Sequence, residues 1–212
     1  DGSDLAPAGG EGRWLDDGRD AQRDVGTVTP LAQATQTAHL RLHEAGPFHN
    51  IAEGCFGAEE VGLALALHLR AWRHVVGWEA GDWLSAPART FFRLDLFAEA
   101  AEQLGTPVLP PPEIAQGASA FLAAGYVYLG SQKGGVPLSR CLREAGYGCA
   151  AACFAPSASH RRDWDLLMGR IDALPPRDFQ DVCTSANQLF ASFDLEALAS
   201  APHSATPCNV TA

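Results

Sequence analysis

Apolar side chains recur along this chain at helical spacing. Leu31, Ala34, Thr35, Ala38 and Leu42 fall on one face of a helix. Thr29 is a good N-cap and Pro30 suits the first helical position, so a helix is predicted to start there. His39 lies at the margin of its apolar face, and His43 follows one turn later. After a break at Gly46, Pro47 and Gly54, the run from Glu59 to Val76 carries Val61, Leu63, Leu65, Leu67, Leu69, Trp72 and Val75. Little polar face is left, so this helix should be central to a core. His68 and His74 sit six apart on it and read as structural. Ser85 and Pro87 open a further helix bearing Phe91, Phe92, Leu94, Leu96 and Phe97, which stops at Gly105 and Pro107. Two more are predicted over Trp164–Leu174 and Arg177–Ala199. No run alternates as a strand between hairpin turns. The expected fold is all-α, a single-domain helical bundle of six to eight helices.

The segment from Gly117 to Leu138 departs from this pattern. It carries Gly117, Gly125, Gly130, Gly134 and Gly135 among good apolar helix residues. Each interior glycine costs about 1 kcal/mol against alanine, so something should need the backbone bare. Gly130 and Gly134 are one turn apart and share a face, leaving a strip where a flat ligand or another helix can touch main chain. Close helix packing of the small-xxx-small kind is the plainer of the two readings. Pro110 to Pro112 should introduce this helix, with Glu113 in its first turn. Unbroken to Ala145 it would span roughly 50 Å, so a kink is expected at Gly134, Gly135 and Pro137. The apolar run from Ala118 to Leu129 is too short to span a membrane.

Composition narrows the function. At 212 residues one domain is the default, expected here over 29–199, between a flexible arm at 1–28 and a tail at 200–212. A net charge of -10 argues against nucleic acid, which needs clustered cation. Six cysteines are scattered and none forms Cys-x-x-Cys. Cys149 and Cys153, spaced i, i+4 with His160 nearby, would bind zinc only with a fourth ligand the sequence does not supply. With no signal peptide or stop-transfer pattern, a cytoplasmic protein is expected.

Common catalytic signatures are missing: no phosphate loop, no Gly-x-Gly-x-x-Gly, no Gly-x-Ser-x-Gly, no His-Glu-x-x-His and no Glu-x-x-His pair. What remains is histidine set against a glycine-bared helix. A heme that must admit dioxygen asks for one axial ligand on one face and no obstructing side chain on the other.

Two stretches then resemble the heme oxygenases, particularly the bacterial, biliverdin-producing type. Leu31-Ala32-Gln33-Ala34-Thr35-Gln36-Thr37-Ala38-His39 is similar to the family's Leu-x-x-Ala-Thr-x-x-x-His proximal helix, whose terminal histidine ligates iron. Tyr126-Val127-Tyr128-Leu129-Gly130-Ser131-Gln132-Lys133-Gly134-Gly135 is similar to the bacterial distal helix, Tyr-Val-Leu-Glu-Gly-Ser-x-x-Gly-Gly. Ala186, Phe190 and Phe193 match the C-terminal helix more weakly. The chain departs from the pattern at Ala32 and Gln36, where many members carry a basic residue for a propionate, and at Lys133 and Pro137.

The resemblance implies a heme oxygenase that cleaves heme b, at once substrate and cofactor, to biliverdin, CO and ferrous iron. It implies His39 as iron ligand, with His43 as fallback, and Gly130, Ser131 and Gly134 as the catalytic surface. Tyr126, Gly130, Gly134, Gly135, Arg177 and Phe193 would contact heme, with Arg161 and Arg162 as further propionate candidates. Ser131 would hold water, or bond back to the carbonyl of Val127 as an ordinary helix hydroxyl. Electrons would come from a ferredoxin or an NADPH-dependent reductase, docked on Arg140, Arg143, Arg161 and Arg162, and a bilin-binding photoreceptor would accept the product. Two alternatives stand beside it: a non-degrading heme carrier or sensor of the same fold, and a thiaminase-like hydrolase with a cysteine nucleophile.

Overall fold

The computed structural model describes residues 29–44, 46–76, 84, 86–114 and 116–194. The predicted arm at 1–28, the helix opening at Ser85, the helix end at Ala199 and the tail at 200–212 lie outside them. The chain divides between Gln33 and Ala34 into two compact units. Of the first, Thr29–Gln33 is described; it is the opening turn of a helix, and Thr29 caps it as predicted, its Oγ1 accepting from the Ala32 N–H at 3.2 Å.

Among the described residues every regular element is a helix: α1 (Pro30–Glu44), α2 (Gly46–Ala52), α3 (Ala58–Val76), α4 (Ala88–Phe91), α5 (Leu94–Gln103), α6 (Ala118–Glu144), α7 (Gly148–Phe154), α8 (His160–Asp172) and α9 (Pro176–Ser192). None is long and apolar enough to cross a membrane. The pattern of apolar positions located α1, α3 and α8 to within a few residues. The one helix expected from Ser85 and Pro87 to Gly105 is instead broken at Phe92 and the left-handed Arg93 into α4 and α5, and α9 ends at Ser192 rather than near Ala199. The pattern also missed α2, which forms where Gly46 and Pro47 suggested only a break. Pro47 and Ile51 are buried one turn apart, so tertiary burial makes a helix of a segment with poor propensity.

The second unit is built around α6, which packs most extensively on α9 and α7 and also meets α8 and α2. Its start differs from the expectation. The described residues between Gln103 and Ala118 are not helical, and Gly117, at φ 140°, is the N-cap. Pro110 to Pro112 therefore precede a loop. The helix that follows has 27 residues, about 40 Å, and its helical run continues through Gly134, Gly135 and Pro137 to Glu144. Pro137 removes one donor to the carbonyl of Lys133, but both residues are exposed, where water can meet that carbonyl. Gly146, at φ 90°, ends the helix: its N–H reaches Arg143 O and the Tyr147 N–H reaches Leu142 O, the paired bonds of a Schellman turn.

The core lies between α3, α5, α6 and α7. Trp72 stacks on Phe92 at 5.3 Å, and Tyr128 meets both rings at 5.3 and 5.1 Å. His68 is buried beside Phe97, Phe154 and Phe193, and its Nδ1–H donates to Ala64 O at 2.8 Å. Desolvation of the ring lowers its pKa to about 4 against the opposing effect of the Ala64 bond, and the imidazole stays neutral as a core residue. The structural reading of His68 holds.

Candidate functional site

The two helices carrying the sequence motifs meet at a pair of hydroxyls. Thr35 Oγ1 on α1 lies 3.4 Å from Tyr126 Oη on α6, and both residues are buried. One turn beyond Thr35 is His39; one turn beyond Tyr126 is Gly130, and a turn further Gly134. Desolvation holds the Tyr126 phenol above its ordinary range, with the Thr35 contact working against it. Trp164 of α8 flanks the phenol ring at 5.7 Å.

A second contact sets the register of α1. Asn187 Nδ2 on α9 donates to Ala34 O at 3.2 Å, and the His39 ring rests 5.4 Å from Phe190, one turn along α9. His39 is exposed as a residue, while Phe190 is buried. Desolvation of the ring, and then the neighbouring imidazole of His43, hold His39 below the ordinary imidazole range. It is therefore a neutral ligand-type nitrogen at neutral pH.

The glycines divide between two faces. A Cβ at Gly130 or Gly134 meets no described atom within 4 Å, so the strip they share is open. A Cβ at Gly135 would lie 2.5 Å from Phe154 O, closer than real Cβ atoms approach a carbonyl. Gly135 is thus bare because α7 crosses α6 there. The helix-packing reading of the glycine run applies at Gly135, whereas no packed neighbour accounts for Gly130 and Gly134.

Between these faces lie polar groups with settled partners. Ser131 Oγ donates to Tyr128 O at 2.7 Å, three residues back rather than to Val127. Its one proton is used, so toward water it acts as an acceptor. Gln132 is buried and donates to Tyr128 Oη at 2.6 Å. His160 reaches Leu129 O at 2.8 Å, tying α8 to the helix one residue before Gly130. Thr35, Gln132 and His160 were not singled out as site-shaping residues by the sequence, because their partners lie 25 or more residues away or depend on side-chain rotamer. The matching i, i+4 intervals Thr35 to His39 and Tyr126 to Gly130 were the one available signal.

Other predicted positions fall elsewhere. Phe193 is buried 4.9 Å from His68 and 5.9 Å from Trp72, so it belongs to the aromatic core. Arg177 is exposed in the first turn of α9, and Arg140, Arg143, Arg161 and Arg162 are exposed as well. Cys153 turns its thiol to Leu96 O and Cys149 O while His160 bonds Leu129 O, and no group of three or more His, Cys, Asp or Glu suited to a metal occurs among the described residues. Burial pushes the Cys153 thiol up to about 12 and raises Cys141 and Cys183 as well, opposite to what a thiolate nucleophile needs.

A cleft of about 880 Å³ lies apart from these residues, between α3, α5 and the loop after α5. Arg70 on its wall donates to Pro110 O at 2.5 Å and to Ser192 O at 2.8 Å, joining α3, that loop and the end of α9. No family model, curated protein or solved structure matches the chain.

Proposed function

We propose that the chain is a heme oxygenase, with His39 as the axial ligand and the Gly130–Gly134 strip as the surface that admits dioxygen. One observation carries this reading. The Thr35–Tyr126 contact joins two helices, and the next turn of each presents an imidazole on one and open main chain on the other. The residue types suit heme: the exposed imidazole is neutral, an aromatic ring backs it, and no described side chain lies within 4 Å of a Cβ placed at Gly130 or Gly134.

Bound heme supplies the iron at which dioxygen is activated by external electrons, and its own ring is the substrate. His39 would hold the iron as a neutral nitrogen donor, weaker than a thiolate. Gly130 and Gly134 present main chain rather than a side chain, and neither position would supply the acid group by which a peroxidase splits the O–O bond. Ser131, its proton committed to Tyr128 O, orients water as an acceptor. Tyr126, buried and protonated, closes the end of the site where the two helices meet. Products would be biliverdin, CO and ferrous iron. The raised cysteine thiols leave the thiol-hydrolase alternative without an activated nucleophile among Cys141, Cys153 and Cys183.

The test is a hemin titration followed by reduction in air. One hemin per chain should give a Soret band, and ascorbate or a ferredoxin system should convert it to a bilin absorption. His39→Ala should lose the ligation signature and recover it with added imidazole. A Soret band that never bleaches would make the protein a heme carrier or sensor, and no Soret shift would end the heme reading.

A further inference from the structure

The imidazoles of His39 and His43 form a pair that the heme reading leaves half unused. Both residues are exposed on α1, one turn apart, with Nε2 atoms 3.3 Å apart and rings perpendicular at 4.7 Å between centroids. His49 Nδ1 lies 3.0 Å from the carbonyl of His43, at the place where α1 gives way to α2. Two nitrogens bound to one tetrahedral zinc at about 2.0–2.1 Å stand about 3.3–3.4 Å apart, the edge of the tetrahedron. The pair already has that spacing.

We propose that His39 and His43 chelate a divalent transition cation, Zn²⁺ by geometry, through their two Nε2 atoms, with water completing the tetrahedron. As apposed, one Nε2 carries the proton shared between the rings. Chelation needs that ring in its Nδ1–H tautomer, so the proton moves within the imidazole and no oxidant or reductant is involved. Only two protein ligands are supplied, consistent with a reversible site rather than a structural one. A consequence follows that rests on the heme reading: a cation on His39 Nε2 and heme iron on the same atom exclude each other, so zinc would hold the protein out of heme turnover.

Calorimetric titration of the whole chain with ZnCl₂ should show one saturable site. His39→Ala and His43→Ala should each weaken it roughly tenfold or more, while His49→Ala stays within about twofold. His43→Gln, which keeps helix propensity, should match His43→Ala; circular dichroism will show both folded. Absence of a saturable site, zinc binding unchanged in His43→Ala, or an equal loss in His49→Ala would each overturn the assignment. Saturating zinc should weaken hemin binding roughly tenfold in the wild type and not in His43→Ala. Zinc binding with hemin affinity unchanged would remove the regulatory consequence, and His39 as iron ligand, while the zinc site stands.

Discussion

Two regions of the molecule use the same two residue types in opposite ways. On the packed side, His68 is enclosed by Phe97, Phe154 and Phe193, and Gly135 is pressed against the carbonyl of Phe154. On the open side, His39 and His43 turn their ring nitrogens outward to one another, and Gly130 and Gly134 face open space. In the first region burial fixes both residues: the imidazole is a neutral packing element and the glycine a steric necessity. In the second, no described neighbour crowds Gly130 or Gly134, and His39 meets Phe190 with its ring while its nitrogen meets His43. Residues unexplained by packing are the ones to explain by ligand.

If the open side carries the chemistry, Gly134→Leu should have the largest effect. Isobutyl in that strip should lower ring opening by about a hundredfold or more. The melting temperature should stay within a few degrees, because no described atom lies within 4 Å of the new Cβ. Full turnover in that variant would erase the difference between the regions.

Acid titration probes the packed side. In the unfolded chain His68 protonates near its ordinary value of 6.5, and in the folded protein only near 4. Between those values the unfolded chain binds more protons. The contribution of His68 is therefore complete above about pH 6.5 and lost as the pH falls toward 4, by about 3 kcal/mol. Urea unfolding of wild type and His68→Leu across that range should give curves whose separation changes by this amount; parallel curves would show that His68 is not held neutral.

Alanine at the two adjacent glycines gives the smallest and sharpest contrast. Gly135→Ala should destabilise by about 2 kcal/mol, since backbone must move to admit the methyl group. Gly134→Ala, on an exposed helical turn, should stabilise by about 0.5–1 kcal/mol. Equal effects in denaturant unfolding would mean that α7 does not crowd α6 as the geometry requires.

Sequence by itself determined the all-α class, helices α1, α3 and α8 and the cap at Thr29, because these follow from periodicity and local backbone chemistry. It also picked out His39 and the glycine run as anomalies, since the cost of bare backbone is local. It could not apportion the glycines. Gly134 and Gly135 are identical in sequence terms and differ only in what crosses the helix at each. The same holds for Phe193, assigned by motif to a heme contact and found in the aromatic core with His68. Non-helical backbone before Gly117 went unread because Pro110 to Pro112 fit a helix start as well as a loop. What tertiary structure alone decided is which face each residue meets. Facing depends on contacts between distant segments, such as Thr35 with Tyr126 or Gly135 with Phe154, whose partners lie too far along the chain for any local pattern to record them.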